Sequence, residues 1–276
     1  MLDEMALNNL KIFLRKRLDL DLNQYKDNYI ERRLNARITM THVDTLAGYL
    51  ALLKKDPEEL NTLKDHLTIN VTEFFRNMET FEALNRDTIP AIIESKELGS
   101  SNTIRVWSAG CSSGQEPYTL AILFLEAFEK SRKKHRLLII ATDIDKKILE
   151  KAKSGRYERN NMEGIPKHLL TKYFDKCGEE YQIKPIVQDC INFKYLDLTS
   201  DDGSNVAGIA TYDLIVCRNV IIYFKDELKK SLFMRFYTKL RKNGYLVIGK
   251  NEALSGDVKA FMEDVNLSER IYQKTK

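Results

Sequence analysis

Glycine is distributed unevenly along the 276-residue chain. Gly48 is the only glycine among residues 1–98, whereas the other eleven lie between Gly99 and Gly256. A leucine-rich segment without glycine is typical of packed helices, because glycine costs about 1 kcal/mol relative to alanine inside a helix. Glycines that separate short apolar runs mark the loops of strand–helix units. The sequence therefore predicts a helical part followed by an α/β part.

The helical part is predicted to hold four short helices. Leucines of the first recur every three or four residues, as on one buried face: Leu7, Leu10, Leu14 and Leu18. The next two are expected at about 24–39 and 44–53. The fourth begins at Asp56, the N-cap, where Pro57 takes the first turn and Glu59 is expected to bond back to the cap. A further helix is predicted from about Met78 to Ser95.

From residue 103 onward, apolar strands alternate with helices. Strands are predicted at 103–109, 137–143, 212–218 and 245–249, and helices at 117–128, 146–153 and 226–240. Continuous apolar strands joined by helices predict a mainly parallel, doubly wound sheet. The stretch 181–193 differs, because it contains Pro185 and short β-prone runs, and it is expected to form a small β insertion.

The loop after the first strand predicts a ligand site. It contains Gly110 and Gly114, followed by Glu116 at the start of a helix, and it lacks the G-x-G-x-x-G pattern of dinucleotide binding. A pyrophosphate prefers a helix N-terminus without a carboxylate. Glu116 suits a cationic group instead, such as the amine of a methionine moiety. The alternative is that Glu116 only compensates the helix dipole.

Acidic residues also follow two other strands. At the end of the second strand, Asp143 is predicted to bind a ribose diol and Asp145 to cap the next helix. Asp197 follows a further predicted strand, in the segment 193–198, where it is a candidate acceptor for an adenine amino group or an ordinary turn residue. Arg218 and Asn219 lie at the end of the predicted strand 212–218, within an apolar run. Because burying such a polar pair requires partners, a functional site is favoured there.

Four segments together resemble the CheR-type chemotaxis receptor glutamate methyltransferases: residues 67–76, 107–118, 141–145 and 217–224. The resemblance extends from about Leu10 to the C-terminus. It implies an all-α N-terminal domain over 1–76 and a class I methyltransferase domain, with a Rossmann-like doubly wound sheet, over 77–276. A small β-subdomain at about 178–193 is implied within the latter.

The resemblance implies S-adenosylmethionine as cofactor and S-adenosylhomocysteine as product. The cofactor contacts that it implies are Asn70, Thr72, Arg76, Glu116, Asp143, Asp197, Leu198, Arg218 and Asn219. Arg76 and Tyr223 match positions expected beside the methyl group and the incoming carboxylate, although Tyr223 also suits a half-buried core. The chain departs from the family at Asp197, often asparagine in relatives, and at residues 249–252. The connection 187–190 looks short for a receptor-tether site, so no tether is expected to be needed.

A basic face on the second predicted helix is a candidate receptor-binding surface. Lys26, Arg33 and Arg37 fall within a narrow arc at 100° per residue. Residues 11–37 hold eight Lys/Arg and four Asp/Glu, an excess of 8 − 4 = +4. The resemblance implies contact with the methylation helices of membrane chemoreceptors. The alternative is a solvated charged face.

Composition narrows the remaining possibilities. The net charge of +4 is too small to indicate nucleic-acid binding. The four cysteines lack metal-ligand spacing, so no metal is expected, and reduced thiols without an apolar leader or membrane span predict a cytoplasmic protein. Two other functions remain open. One is a methyltransferase for RNA or a small molecule, with the basic loop 130–136 contacting RNA, and the other is a non-enzymatic S-adenosylmethionine sensor.

Overall fold

The computed structural model describes residues 3–18, 20–68, 70–200 and 211–275. Ile69, within one of the family-like segments, lies outside these residues. The chain forms two compact units, Met1–Asn70 with Tyr223–Leu228, and Val71–Ile222 with Lys229–Lys276. The first boundary thus falls between residues 70 and 71, where the sequence suggested 76 and 77. A later segment of the chain also returns to the helical unit.

The helical unit contains four helices: α1 (Glu4–Leu18), α2 (Asp27–Met40), α3 (Leu46–Lys55) and α4 (Pro57–Leu67). The leucine stripe of α1 is buried at its first three positions and half-buried at the fourth. Asp56 caps α4 as predicted, accepting from the backbone N–H groups of Glu58 and Glu59 at 2.9 and 3.1 Å. Helix α2 begins later than predicted, because a 3₁₀ turn over Leu22–Gln24, capped by Asp21, precedes it.

The returning segment pairs with the residues that lead into α2. Tyr25 and Phe224 form an antiparallel bridge, and their rings meet edge to face with centroids 5.2 Å apart. The backbone N–H of Lys26 donates to the carbonyl of Tyr223 at 2.9 Å, and that of Lys225 donates to Gln24 at the same distance. These pairings make Tyr223–Leu228 part of the helical unit.

The second unit is built on a seven-stranded sheet. Its strands are β1 (Thr103–Ala109), β2 (Arg136–Asp143), β6 (Ile191–Tyr195), β7 (Tyr212–Cys217), β8 (Leu240–Ile248), β9 (Met262–Asn266) and β10 (Ile271–Lys274). Their order is β6-β2-β1-β7-β8-β10-β9. The first five pair in parallel, and β10 is antiparallel to both neighbours. The prediction of a mainly parallel, doubly wound sheet is confirmed, as the class I methyltransferase resemblance also implied.

The helices of this unit are α5 (Met78–Ala83), α6 (Ile89–Leu98), α7 (Gln115–Phe128), α8 (Lys146–Ser154), α9 (Lys167–Tyr173), α10 (Pro185–Gln188) and α11 (Asp226–Lys239), whose first turn falls in the helical unit. The single helix predicted from Met78 is interrupted by a π turn over Leu84–Thr88. Proline cannot donate to the preceding turn, and the π turn lies just before Pro90. No helix among the described residues is long and apolar enough to cross a membrane.

A three-stranded antiparallel sheet is formed by β3 (Arg156–Glu158), β4 (Phe174–Cys177) and β5 (Glu180–Ile183), with β5 in the middle. This sheet occupies a different range from the predicted 178–193. Its hairpin turns at Gly178, whose φ is 65°, and residues 191–195 belong to the large sheet. Segment 187–190 is not a connection within the small sheet, because it runs from the end of α10 to a strand of the large sheet, and the expectation that no receptor tether is needed stays a prediction.

Candidate active site

The loop between β1 and α7 is shaped by glycine. Gly110 and Gly114 have φ values of 80° and 92°, in the left-handed region that favours glycine. The N–H groups of Gly110 and Cys111 both donate to the carbonyl of Thr142 at 2.8 and 2.9 Å, which fixes the loop to the end of β2. The loop lies at the carboxyl ends of parallel strands and beside the point where strand order reverses, the place where open α/β sheets bind ligands.

Glu116, in the first turn of α7, is a largely buried carboxylate, with 13% of its side chain exposed, whose negative charge is only partly compensated. It accepts from Ser108 Oγ at 2.8 Å, and its other oxygen lies 3.5 Å from Arg218 Nη1. Burial raises the pKa of Glu116, while the charges of Arg218 and Arg76 lower it. Because burial outweighs both arginines, an additional cation would find a favourable position here.

Arg218 follows β7 and is almost completely buried. Its Nη2 donates to the carbonyl of Arg76 at 2.8 Å and to Asn77 Oδ1 at 2.9 Å, and its guanidinium lies 5.1 Å from the ring centroid of Phe81. Its Nε has no hydrogen-bond partner among the described residues. The polar residue that looked anomalous in an apolar run therefore connects Glu116 to the Arg76 segment.

The segment around Arg76 has an unusual backbone. Phe75 and Asn77 have φ values of 55° and 61°, and a bulky residue such as phenylalanine rarely adopts this conformation. Arg76 donates from Nη1 to the carbonyl of Val71 at 2.7 Å. Thr72 lies half-buried on the same segment, whereas Asn70 ends the helical unit.

Asp143, at the end of β2, accepts from the backbone N–H of Ser112 at 2.8 Å and from that of Asp145 at 3.0 Å. Burial raises its pKa. Asp145 caps α8 by accepting from the N–H of Lys147 at 3.0 Å, which confirms the predicted cap, whereas the role of Asp143 toward a ribose stays a prediction. The buried Cys111 thiol has its pKa raised by burial and by the charges of Asp143 and Glu116. Asp143 and Glu116 therefore both lie close enough to Cys111 to raise the pKa of its thiol.

Asp197 and Leu198 lie just after β6. The N–H of Thr199 donates to Asp197 Oδ1 at 2.7 Å, so this side chain shapes a turn. Arg235 donates to the carbonyl of Leu198, whose side chain is buried. The turn interpretation of Asp197 is thus supported by a contact, and its role toward adenine stays a prediction.

Glu252 is a residue whose importance sequence reasoning missed. It is buried and accepts from the N–H groups of Gly249, Asn219 and Ile222 at 2.5, 3.3 and 3.1 Å. It therefore joins the loop after β8 to the loop after β7, where Asn219 has a φ of 61°. Burial raises the pKa of Glu252. The acid three residues after Gly249 could have been noticed in the sequence. No sequence pattern indicated that Ser108 would bond Glu116 or that Asn77 would bond Arg218.

The helical unit holds Tyr223 and the three candidate receptor-binding residues. The ring of Tyr223 lies 4.8 Å from that of Tyr29, and the Arg33 guanidinium lies 5.7 Å from the Tyr29 centroid. The Tyr29 hydroxyl donates to the carbonyl of Leu67, and burial raises the pKa of Tyr29 to about 12. Lys26 precedes α2 and bonds Tyr223 through its backbone. Lys26, Arg33 and Tyr223 are thus close together.

Arg37 differs from the other two basic residues. Its Nε donates to Glu59 Oε1 at 3.1 Å and its Nη2 contacts the other oxygen, which is a bidentate pair. Tyr49 also donates to Glu59, and both charged side chains are largely buried, at 15% and 9% exposure. The prediction that Glu59 bonds back to its cap is contradicted, because that carboxylate is already occupied. Arg37 has a structural partner that the helical arc could not reveal.

The basic loop 130–136 lies at the opposite end of the sheet from the glycine loop, since it leads into the first residue of β2. Ser131 Oγ donates to Glu97 at 2.6 Å, and Lys133 Nζ donates to the Glu97 carbonyl. The prediction that this loop lies away from the predicted cofactor site is confirmed by its place in the sheet.

Comparison with known proteins identifies both units. Residues 70–270 match the model of the CheR methyltransferase SAM-binding domain, and residues 5–68 match that of the CheR methyltransferase all-alpha domain. The chain is 34% identical to a chemotaxis protein methyltransferase of Borreliella burgdorferi, over 86% of this chain and 84% of that one. It is 36% identical to one of Listeria innocua, over 87% of each.

The chain is also 35% identical to an uncharacterized 104.1 kDa protein of Rhodobacter capsulatus, over 86% of this chain but only 24% of that protein. In that relative, the matched region is therefore a minor part of a much longer polypeptide. The two domain matches follow the order of the two structural units along most of the chain. The chain belongs to the CheR methyltransferase family and is an S-adenosylmethionine-dependent methyltransferase.

Proposed function

We propose that this protein transfers a methyl group from S-adenosylmethionine to glutamate side chains of chemoreceptors and forms glutamate methyl esters. The chemotaxis protein methyltransferases to which it is similar support a role in chemotaxis. The proposed partners are the methylation helices of membrane chemoreceptors, and the proposed compartment is the cytoplasm, where these helices lie.

The residues of the α/β unit fit the proposed cofactor. Glu116 is a buried carboxylate that two arginines do not fully compensate, so it suits the α-amine of a methionine moiety. Arg218 Nε is a buried donor without a hydrogen-bond partner among the described residues, and it suits a carboxylate. Asp143 retains acceptor capacity for a ribose diol. The remaining proposed contacts in this unit are Thr72, Arg76, Asp197, Leu198 and Asn219, and Asn70, the last residue before this unit, is proposed as well.

The proposed methyl transfer needs little acid or base catalysis from the protein. S-adenosylmethionine supplies a methyl group on a sulfonium centre. A glutamate side chain is ionised at neutral pH, because its ordinary pKa is about 4.3, so no general base is needed. The protein must instead orient one carboxylate oxygen and remove water from it. We assign this orientation to Arg76 and Tyr223, which present a guanidinium and a hydroxyl.

One observation carries the choice of an acidic protein substrate. In the helical unit, the Lys26 backbone bonds Tyr223 at 2.9 Å, and the Tyr29 ring contacts both Tyr223 and Arg33. Two basic residues, Lys26 and Arg33, therefore lie close to Tyr223 within one compact unit. An acidic helix attracted to Lys26 and Arg33 would be brought to Tyr223. Arg37 is not part of this proposed surface, since Glu59 pairs with its guanidinium.

Incubation with methyl-labelled S-adenosylmethionine and a receptor cytoplasmic fragment tests the proposal. We expect label on the fragment that mild base releases as methanol, as an ester requires. A fragment with glutamine at its acceptor glutamates is the matched control and should take up no label. Base-stable label, label on added RNA, or no label with any receptor of the organism would contradict the proposal.

Charge neutralisation tests the substrate surface. The double variant Lys26→Ala and Arg33→Ala should raise the apparent KM for the fragment more strongly at low salt than at high salt. The exposed Lys242 and Lys259 lie in the other unit, so the double variant Lys242→Ala and Lys259→Ala, which also removes two positive charges, is the matched control. Equal effects of both changes would show that net charge alone attracts the receptor.

A further inference from the structure

A groove in the α/β unit is separate from the residues assigned to the cofactor and the receptor. Its volume is about 650 Å³, within the range of about 300–1,000 Å³ found for small-molecule sites. Helices α5, α6, α7 and α9 and the π turn supply its walls. A π turn within a helix often marks a functional site.

The floor of the groove is apolar. Phe81, Ile93, Leu123 and Leu169 line it, and each is buried by its neighbours. Phe75 also lines the groove, and its ring meets that of Phe81 edge to face with centroids 5.8 Å apart. A ligand here would therefore need an apolar body.

The walls carry negative charge from several helices. The lining residues include four glutamates and one lysine, which gives 1 − 4 = −3 with His168 neutral: Glu82, Glu94, Glu97, Glu126 and Lys130. Two of these acids are already engaged. Glu126 pairs with Lys172 at 2.6 Å, and Glu97 accepts from Ser131.

The other two acids, Glu82 and Glu94, are exposed. Neither makes a hydrogen bond or a close ion pair within the described parts of the chain, and the charged neighbour of Glu82 is Arg86, one turn further along, which is itself paired with Asp87. They project from different helices, α5 and α6. A ligand with a single cationic group would satisfy one of them, whereas separated cationic groups joined by methylene segments would satisfy both and cover the apolar floor.

We propose that this groove binds a linear aliphatic polyamine. The ammonium groups meet Glu82 and Glu94, and the methylene segments lie on the floor formed by Phe81 and its neighbours. The groove contributes no residue to the proposed methyl transfer, and its occupation by a polyamine does not depend on the receptor being the substrate.

The groove also has a structural connection to the predicted cofactor site. Phe81 lines the groove, and the guanidinium of Arg218 lies over its ring, 5.1 Å from the ring centroid. Arg218 in turn faces Glu116 at 3.5 Å. A ligand that restricts the motion of Phe81 would also restrict the motion of Arg218. Bound polyamine is therefore expected to raise the affinity for S-adenosylhomocysteine. By thermodynamic reciprocity, bound S-adenosylhomocysteine would raise the affinity for the polyamine by the same factor.

Calorimetric titration of the full-length protein with spermidine tests the site. We expect saturable binding that the double variant Glu82→Gln and Glu94→Gln weakens by about tenfold, since two exposed ion pairs are lost. The matched control changes two exposed acids outside the groove, Glu179→Gln and Glu180→Gln, and should bind like the wild type. Equal weakening in both double variants would overturn the proposal.

Two comparison ligands separate shape from charge. At matched ionic strength, Mg²⁺ has charge without an apolar body, and n-butylamine has one ammonium group. Neither should displace spermidine when it is added at a concentration near the dissociation constant of spermidine. Displacement by Mg²⁺ at that concentration would show that the groove only attracts counterions. Titration of S-adenosylhomocysteine with and without saturating spermidine tests the coupling, which an unchanged affinity would refute.

Discussion

Replacing Glu116 by glutamine removes one buried negative charge and keeps the shape of the side chain. Ser108 can still donate to the amide oxygen, so the start of α7 should remain intact. Burial raises the pKa of Glu116, which means that its ionised form is disfavoured in the folded protein without cofactor. A carboxyl group with a raised folded-state pKa stabilises the fold at low pH, and this contribution is lost as pH rises. Glu116→Gln should therefore leave thermal stability near neutral pH unchanged or slightly higher.

The effect on cofactor affinity should be much larger. A hydrogen bond between charged groups contributes about 1.5–3 kcal/mol. Arg218 lies 3.5 Å from the same carboxylate and shares its charge, which favours the lower end of this range. We expect Glu116→Gln to weaken S-adenosylhomocysteine by about 1.5 kcal/mol, or about tenfold.

The assay is calorimetry with two ligands. S-adenosylhomocysteine has the α-amine, whereas methylthioadenosine lacks the whole amino-acid part, so Glu116→Gln should weaken only the former. Acidification should also weaken S-adenosylhomocysteine in the wild type, because a cation favours the ionised carboxylate that protonation removes. Equal losses for both ligands, or no loss for either, would refute the assignment of Glu116 to the amine.

Other substitutions separate the remaining roles. Asp143→Ala should weaken S-adenosylhomocysteine and methylthioadenosine together by about 1–3 kcal/mol, since both contain the ribose, and calorimetry on the folded variant measures this. Tyr223→Phe should lower turnover at saturating receptor while S-adenosylhomocysteine affinity stays nearly constant, and a wild-type saturation curve would exclude an orienting role. Arg37→Met should lower the free energy of unfolding by about 3 kcal/mol or more, because it leaves the buried Glu59 carboxylate without its cationic partner. A raised KM for the receptor with unchanged stability would instead assign Arg37 to the receptor surface. Glu252→Gln should also reduce stability, because an amide cannot accept three backbone N–H groups as a carboxylate does, and unchanged denaturant midpoints would contradict this.

Local patterns predicted the large sheet well, because its parallel strands are continuous apolar runs bounded by polar loops. Strand β1 has the predicted bounds, Thr103–Ala109, and Asp145 caps the next helix as expected. The predicted site acids Glu116 and Asp143 come together because the carboxyl ends of parallel strands share one edge of the sheet.

Long-range pairing explains what could not be predicted. The small sheet depends on Tyr157 pairing with Tyr181, and no local pattern gives this register. Arg37 was assigned from the periodicity of its own helix, while its partner Glu59 lies on another helix. Asn77 supports Arg218 through a backbone conformation with positive φ, which an asparagine permits without indicating where it is used.

The return of residues Tyr223–Leu228 to the helical unit has a consequence for chimeric proteins. A chimera that exchanges only residues 1–70 with a relative would pair a foreign Tyr25 position with the native Phe224, and a foreign backbone with the native Tyr223 carbonyl. The contacts between residues 24–26 and 223–225, here called the seam, would be mismatched in such a graft, and this would obscure any receptor preference that it transferred. A graft that carries both segments keeps the seam native and should transfer the preference intact.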